Sequence, residues 1–229
     1  MDESLFIVGP GRMGLALGYA LSRVGAVTDL TICGRRPDPP GHPLFIEGTA
    51  RYVFGIQRPE TGTTGVILAV HDEVLPEIAA ILAAQGPAPP GCSAFHLSGA
   101  LGTDPLAPLV DAGYAVGTLH PLQTVADPVL GARLLEGITF AISGDPLALS
   151  TARRLLDPLG GSAIQVPVAL RPLYHAAAVF ASNYLAGLMA AAGRLMAQAG
   201  VPQDEALEAI LPLARGSLER FLDSARLAR

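Results

Sequence analysis

The sequence predicts an α/β fold with a doubly wound, mostly parallel sheet, followed by a short all-helical C-terminal domain. Three observations predict it: short apolar runs alternate with helical patterns, a glycine-rich turn directly follows the first run, and from about Val168 the patterns are helical. Half of the 229 residues are apolar and 15% are charged, which excludes a disordered chain. The net charge of −5 offers no basic surface to nucleic acid or to an anionic membrane.

The elements of the first domain follow from local apolar runs. The first strand is predicted at Leu5–Val8, and the helix after it from the apolar spacing of residues 15–24. Arg35–Gly48 is rich in proline and glycine and is predicted to be an irregular loop in which His42 is exposed. The remaining predicted strands are 28–33, 52–54, 65–70, 92–97, 115–119, 138–142 and 163–166, and the remaining helices are 72–84, 104–112 and 147–156.

The character of the chain changes near Pro167, so we predict a first domain of residues 1–166 and a helical domain of residues 167–229, with helices at 173–199, at 202–214 and from 216 onward. Residues 176–193 carry no charge over 18 positions, the length at which a membrane span must be considered. Because this stretch is mostly Ala and Gly with polar residues at its centre, a helix buried in a helical domain is favoured over a span. With little helical domain to cover it, we expect a homodimer through the C-terminal helices and no membrane.

A G-x-G-x-x-G pattern from Gly9 to Gly14 follows the first predicted strand and opens a helix. In that context it is the fingerprint of a dinucleotide site. Gly9 permits the tight turn, Gly11 lets the backbone approach a pyrophosphate, and Gly14 permits close packing of helix on strand. Arg12 and Met13 lie within the same turn and are expected at the cofactor with it. The alternative is a glycine-rich turn without a ligand.

The end of the second strand predicts which dinucleotide binds. NAD sites place Asp or Glu there, about 20 residues further on, to bind the ribose 2′-hydroxyl. This chain has Arg35 and Arg36 instead. Each guanidinium could form a charge-assisted hydrogen bond with a 2′-phosphate, worth roughly 1.5–3 kcal/mol. NADP is therefore favoured over NAD, and the alternative is a pair of solvated arginines on a loop.

Residue types that the sequence lacks exclude several chemistries. All 15 basic side chains are arginine, so Schiff-base catalysis and a lysine general acid are excluded. Cys33 and Cys92 are far apart and outside any C-x-x-C pair, which argues against a disulfide scaffold and for the cytoplasm. Cys92 and His96 share a predicted strand at positions i and i+4, but no third ligand is visible and no metal site is predicted. The start, Met1-Asp2-Glu3, and the early Gly-Pro-Gly are unlike a signal peptide.

Four further segments carry a resemblance to a known family. They are His96-Leu97-Ser98-Gly99-Ala100, Leu119-His120-Pro121-Leu122-Gln123, Tyr174-His175-Ala176-Ala177-Ala178 with Ser182-Asn183-Tyr184, and Arg215-Gly216-Ser217-Leu218-Glu219. With the glycine turn, they resemble Rossmann-like proteins with a helical C-terminal domain of unknown function (DUF2520). These are related to 6-phosphogluconate and β-hydroxyacid dehydrogenases and to pyrroline-5-carboxylate reductase. The resemblance covers nearly the whole chain and implies a Rossmann fold, a nicotinamide cofactor and oxidoreductase activity.

The chain departs from the resembled dehydrogenases at two points. Those relatives place a lysine one turn before the asparagine of the long helix, where this chain has Val179. The helical domain is also expected to be shorter than theirs, so that a second subunit would close the cleft.

Polar residues are predicted to follow the strands at the edge where doubly wound folds bind ligands. The resemblance implies that the segment Val70-His71-Asp72 lies near the nicotinamide half of the cofactor, although Asp72 is favoured as a helix N-cap. Ser98 is expected to bind a substrate carboxylate or hydroxyl, as in the relatives, or to be a serine in a turn. His120 could point into the same cleft, and His96 could do so or be a satisfied core histidine.

His175 is the strongest acid–base candidate, because an ordinary histidine titrates near pH 6.5 and can donate a proton at neutral pH. On an α-helix His175 and Ser182 share a face, while Asn183 lies about 80° round it and would orient the substrate. The alternative is that Ser182 and Asn183 bond backbone carbonyls and that His175 packs at the domain seam.

Three functions are compatible with these patterns. The leading one is an NADP-dependent oxidoreductase acting on a small keto, hydroxy or imino acid. The second is a non-catalytic protein that senses or carries the dinucleotide. The third, a serine hydrolase using Ser98, is disfavoured because His-Leu-Ser-Gly-Ala is not a G-x-S-x-G nucleophile elbow.

Overall fold

The computed structural model describes residues 3–227, and within them an eight-stranded sheet forms the centre of the fold. The strands are β1 (Glu3–Val8), β2 (Val27–Gly34), β3 (Arg51–Phe54), β4 (Gly65–Leu68), β5 (Ser93–His96), β6 (Ala115–Pro121), β7 (Thr139–Gly144) and β8 (Ser162–Gln165). Met1 and Asp2, on which the prediction about the N-terminus partly rests, and the last two residues of the predicted helical domain lie outside the described part.

The strand order is β3-β2-β1-β4-β5-β6-β7-β8, and the neighbouring strands are parallel except for the pair β6 and β7. This confirms the predicted doubly wound, mostly parallel sheet. The order reverses between β1 and β4, and ligands of such sheets bind outside the carboxyl ends of the strands at this point. The loops after β1, β4 and β5 therefore define where a site is expected.

The helices are numbered in chain order. They are α1 (Arg12–Arg23), α2 (Pro43–Ile46), α3 (Leu75–Ala83), α4 (Ala107–Asp111), α5 (Pro128–Leu134), α6 (Pro146–Leu156), α7 (Arg171–Val179), α8 (Leu185–Gln198) and α9 (Gln203–Leu227). Short 3₁₀ turns precede α3 and α4, at Asp72–Val74 and Asp104–Leu106.

Two hydrophobic cores lie on opposite faces of the sheet, because successive side chains of a strand point to opposite sides. On one face Leu5 and Ile7 of β1 belong to the core that contains α1 and α6 residues. On the other face Phe6 and Val8 belong to the core that contains α3 and α4 residues. Strands buried on both faces read as continuous apolar runs, which is why they were predictable.

The proline-rich loop is more ordered than predicted. Pro43 begins the short helix α2, and His42 caps it by accepting a hydrogen bond from Leu44 N at 3.3 Å. His42 is only 2% exposed and its ring packs edge-on against Tyr19 at 5.3 Å between centroids. The prediction of an exposed His42 is therefore wrong, because a capping role and an aromatic contact bury it.

The helix α5 was not predicted. Asp127 caps it through hydrogen bonds from Val129 N and Leu130 N, and Pro128 occupies its first position. An acidic cap followed by proline indicates the start of a helix. The helix itself is too short to show an apolar periodicity in the sequence.

Both cysteines are buried in the sheet and have free thiols: Cys33 lies near the end of β2 and Cys92 directly before β5. Burial raises the pKa of each thiol to about 12. They therefore stay protonated in the folded protein at neutral pH.

Contacts divide the chain into two compact units, of which the first ends at His175 and the second begins at Ala176. In the second unit a π-helical turn, Phe180–Tyr184, precedes α8. The predicted single α-helix over 173–199 is therefore interrupted. The predicted break at Gly216 is wrong, because α9 continues from Gln203 to Leu227 with Pro212 inside it.

The second unit leaves much apolar surface uncovered. Among the described residues α8 has no buried position, so the prediction of a helix buried inside a helical domain is wrong. The helical segment Val168–Gln198 is long and apolar enough to cross a membrane by length and composition alone, and none of its most apolar stretch is buried. Length and composition are weak indications when one helix meets them.

Candidate functional site

The glycine turn after β1 has two glycines that the packing requires and one that faces open space. Gly9 has φ +110°, and a Cβ there would lie 2.5 Å from the Ala69 carbonyl oxygen. A Cβ on Gly14 would overlap the Gly9 carbonyl oxygen. Gly11, in contrast, would place a Cβ within 4 Å of nothing. It is the N-cap of α1 and makes no side-chain cap, so the first amides of α1 are available to an anion.

The predicted cofactor residues around this turn lie in separate environments. Arg12 is exposed at the start of α1, while Met13 is half-buried against the core. Val70 lies beside the turn, with its Cγ1 3.2 Å from where a Gly9 Cβ would be, and His71 is exposed.

Arg35 and Arg36 follow β2 and are exposed. Tyr52 donates a hydrogen bond to the Arg36 carbonyl at 2.6 Å, which holds this backbone in place. Gly34 packs on Pro10, since a Cβ there would be 2.7 Å from the proline ring. The backbone before the two arginines thus packs against the glycine turn.

Asp72 does not cap a helix as predicted. Its carboxylate accepts a 2.7 Å hydrogen bond from the Ser98 hydroxyl, which links the loops after β4 and β5. The 3₁₀ turn at Asp72 has no side-chain cap. The local capping rule fails here because the Asp72 carboxylate is bonded instead to Ser98, 26 residues away along the chain.

Ser98 is buried, and its hydroxyl is fully engaged. Besides donating to Asp72, it accepts hydrogen bonds from Ala100 N and Leu101 N, both at 3.2 Å. A serine nucleophile needs its hydroxyl bonded to a base such as histidine. The partners here are a carboxylate and two amides, which argues against the hydrolase interpretation.

His96 is a core histidine. Its Nδ1 accepts a hydrogen bond from Ser98 N at 3.1 Å, so Nε2 donates the 2.7 Å bond to the Gly102 carbonyl. The ring is fully buried, and burial lowers its pKa. Both nitrogens are occupied, as in the structural alternative, and His96 shapes the loop that carries Ser98.

Two histidines converge on the loop after β5. A Cβ on Gly99 would lie 2.7 Å from His175 Nδ1 and 2.8 Å from His120 Nε2, so no larger residue fits beside the two rings. The ring centroids of His120 and His175 are 6.1 Å apart. His120 Nδ1 shares a 2.7 Å hydrogen bond with the Tyr174 hydroxyl. His175 Nδ1 is buried and has no hydrogen-bond partner among the described residues.

Sequence reasoning missed Tyr174 and Arg171 as members of this cluster. Tyr174 directly precedes His175 in the Tyr-His-Ala-Ala-Ala motif, and this position was the available signal. Arg171 is fully buried and donates to the Leu101 carbonyl at 2.8 Å and to the Thr118 hydroxyl at 2.5 Å. An arginine in an otherwise apolar segment was the available signal.

The π turn changes the predicted geometry of Ser182 and Asn183. Such a turn holds an additional residue, so the 3.6-residue spacing that placed His175 and Ser182 on one face does not apply across it. Ser182 donates its hydroxyl to the Ala178 carbonyl at 2.6 Å, as the structural alternative expected. Asn183 is exposed in the second unit. Within residues 3–227 no three His, Cys, Asp or Glu side chains form a group that could hold a metal ion.

His120 should make the stability of the fold depend on pH. Burial, with the charges of His175 and Arg171, lowers the pKa of His120 to about 4. The unfolded chain then binds the proton first, so stability is unaffected above pH 6.5 and falls as the pH drops from 6.5 towards 4. The loss is up to about 3 kcal/mol. Urea unfolding at several pH values should show a shallower acid loss for His120→Asn, with the exposed His71→Asn as control. An unchanged profile in His120→Asn would contradict the assignment.

Comparison with known proteins agrees with the fold. Residues 138–228 match the family model of DUF2520, a domain of unknown function, and residues 53–121 match that of a Rossmann-like domain. The resemblance stated from the motifs is thereby confirmed. No curated protein matches the sequence significantly.

Solved structures share this architecture. A candidate NADP oxidoreductase from Bacteroides fragilis is 18% identical with a TM-score of 0.76, covering 96% of this chain and 80% of that one. Pyrroline carboxylate reductase from Plasmodium falciparum with NADP bound is 14% identical with a TM-score of 0.68, covering 95% and 78%. A reductive aminase from Aspergillus terreus in complex with NADPH and ethyl levulinate is 16% identical with a TM-score of 0.67, covering 99% and 77%. At these identities the likeness establishes the fold.

Proposed function

We propose that this protein is an NADP-dependent oxidoreductase that transfers a hydride between the nicotinamide cofactor and a small keto, hydroxy or imino acid. The observation that carries the proposal is the glycine turn at the reversal of strand order. Gly9 and Gly14 are required by packing, but Gly11 is bordered by open space at a helix N-terminus. That open position is explained by a ligand that approaches the backbone. Three structural neighbours named above are described with NADP or NADPH, which supports this choice of ligand.

The residues that would hold the cofactor fit its chemistry. The amides after Gly11 would bind the pyrophosphate, with Arg12 and Met13 beside it. Arg35 and Arg36 would bind the 2′-phosphate, and among the described residues neither forms an ion pair that would compete. Val70 and His71, after β4, would lie along the nicotinamide half.

The cofactor supplies the hydride, and the chain must supply a proton and orient the substrate. His175 is proposed as the proton donor, because its Nδ1 is not used by any described neighbour. His120 is held neutral and shares a hydrogen bond with Tyr174, so it serves as a neutral hydrogen-bonding side chain beside His175. Ser98 fixes the loop after β5 through its hydrogen bond to Asp72.

The first test is a fluorescence titration of the protein with NADPH and, in parallel, with NADH. We expect NADPH to bind at least about tenfold more tightly, since each arginine–phosphate bond contributes roughly 1.5–3 kcal/mol. The double variant Arg35→Ala/Arg36→Ala should lose this preference. Arg153→Ala, an exposed arginine on α6, is the matched control. Equal affinities in the native protein would remove the NADP assignment, and no binding of either would remove the oxidoreductase proposal.

One observation favours a second candidate function, a dinucleotide sensor or carrier without turnover. The resembled dehydrogenases have a lysine where this chain has Val179, and the sequence offers no other lysine. Oxidation of NADPH in a screen of keto, hydroxy and imino acids separates the two functions. Tight NADPH binding with no oxidation across the screen would favour the sensor.

We also propose that the protein is a cytoplasmic homodimer that pairs through its C-terminal helices. Large apolar side chains of the second unit are exposed, including Phe180 (65%), Leu188 (68%), Leu195 (66%), Leu213 (74%) and Phe221 (69%). Exposed large apolar side chains in this number are typical of a surface that binds a partner chain. Light scattering at micromolar concentration should give roughly 47 kDa, twice the 23.6 kDa of one chain. Leu188→Glu/Leu195→Glu should give the mass of one chain, and a monomeric native protein would contradict the proposal.

A further inference from the structure

Arg171 carries a buried positive charge without a negative partner. Its side chain has 0% exposed surface, and its two hydrogen bonds go to neutral acceptors, the Leu101 carbonyl and the Thr118 hydroxyl. Its Nη1 is buried and has no partner among residues 3–227, and within the same residues Arg171 forms no ion pair. Arginine does not lose its proton in proteins. The charge is therefore permanent, and none of the ion pairs within residues 3–227 includes it.

This charge lies at the candidate site. Arg171 contacts the loop after β5, which carries Ser98, through Leu101, and contacts β6, which carries His120, through Thr118. Its charge is among the causes that lower the pKa of both His96 and His120. Since these two imidazoles stay neutral at pH 7, the permanent positive charge beside them is that of Arg171.

Ser98 is a poor place for a carboxylate, although the family resemblance implied one there. Its hydroxyl already donates to the Asp72 carboxylate at 2.7 Å. A second carboxylate at this hydroxyl would find no free proton and would be repelled by Asp72. A negative group that binds at this cluster is favoured instead on the side of Arg171, because buried charges in proteins are normally paired.

We infer that Arg171 determines the charge of the substrate: the candidate site at His120 and His175 takes a molecule with a carboxylate, which Arg171 neutralises. The inference rests on the proposed function and assigns the acid group of its substrate to a residue. Arg171 and His175 are one turn apart on α7 and share a face, so the same helix would present the charge and the proton donor. The Nη1 atom of Arg171 has no exposed surface. For the substrate carboxylate to pair with it directly, the loop 97–102 must move away.

The test compares 2-oxo acids, from pyruvate to 2-oxohexanoate, with their uncharged methyl esters. Binding to the protein is measured by calorimetry without cofactor, and turnover is measured separately with NADPH. The native protein should bind the acids about ten- to hundredfold more tightly than the esters, the range of a charge-assisted hydrogen bond. Arg171→Met should lose this preference, and Arg171→Lys should regain part of it because the charge returns.

Thr118→Val is the matched control, since it removes one hydrogen bond of Arg171 and leaves the charge. It should keep the preference for acids if charge rather than loop position decides. Urea unfolding of each variant shows whether it folds, and if Arg171→Met does not, the comparison of Arg171→Lys with Thr118→Val still decides. Native protein that binds acids and esters equally, or neither, overturns the inference. Ester turnover as fast as acid turnover would overturn it while leaving the oxidoreductase proposal standing. Arg171-dependent binding of acids without any turnover would overturn the oxidoreductase proposal and leave the inference about Arg171 standing.

Discussion

Gly11→Val is expected to abolish NADPH binding while the protein stays folded. The backbone of Gly11 is extended, with φ −80° and ψ 177°, which suits a β-branched residue. A Cβ there meets nothing within 4 Å, so stability should change by less than about 1 kcal/mol. The new side chain would occupy the space in front of the α1 amides. Losing two charge-assisted bonds to the pyrophosphate should weaken NADPH more than about hundredfold in the fluorescence titration.

Gly14→Ala is the matched contrast. Its Cβ would overlap the Gly9 carbonyl oxygen and lie 3.0 Å from Ala69 Cβ, and overpacking of this kind costs about 1–3 kcal/mol. Urea unfolding should therefore report a loss of stability in Gly14→Ala and none of that size in Gly11→Val. If Gly11→Val binds NADPH as the native protein does, the open position at the helix N-terminus does not hold the dinucleotide.

His175→Ala should remove turnover and leave NADPH affinity nearly unchanged. A positioned proton donor contributes typically about 10²–10⁴-fold to a rate. The neighbours of the His175 ring are Gly99 and His120, and neither belongs to the glycine turn. The loss should appear in kcat for whichever acid the substrate screen identifies. His175→Asn, which keeps a polar side chain of similar reach, should be equally inactive if the proton is what matters.

His120→Asn is the comparison variant for this result. It removes the neighbouring imidazole, which is neutral at pH 7 because its pKa is about 4. It should slow turnover less than His175→Ala. Full activity of His175→Ala would exclude His175 as the donor, and inactivity of His120→Asn alone would transfer the role to the pair of His120 and Tyr174.

Much of the fold could be predicted because its signals are local. Strands such as β1 and β4 are short apolar runs buried on both faces, and the turn of Gly9 and Gly14 obeys a spacing rule. The helices α2 and α5 were missed since each is too short to show a helical period. The merging of the last two predicted helices into α9 could not be foreseen, because glycine and proline are ordinarily helix breakers.

The site was less predictable because its decisive contacts are distant in sequence. Arg171 meets a carbonyl 70 residues earlier, and Ser98 takes the carboxylate of Asp72 that a local rule assigns to a cap. His120 was a candidate because it ends a predicted strand and belongs to a motif of the resemblance. Whether the ring of His96 faces a cleft or the core depended on the path of the loop to Gly102, which no pattern in the sequence states.

The reaction of the two buried cysteines with a thiol reagent reports how often this protein unfolds. With thiol pKa values of about 12 and no accessible sulfur, Cys33 and Cys92 react with a thiol reagent when the sheet opens and exposes them. The sequence contains no tryptophan, so intrinsic fluorescence is a weak reporter of the same event. A ligand that binds the folded state slows the labelling by the factor 1 + [L]/Kd. The rate of thiol modification therefore measures the affinity for any candidate cofactor or acid, including colourless ones, in a mixture where nothing is turned over.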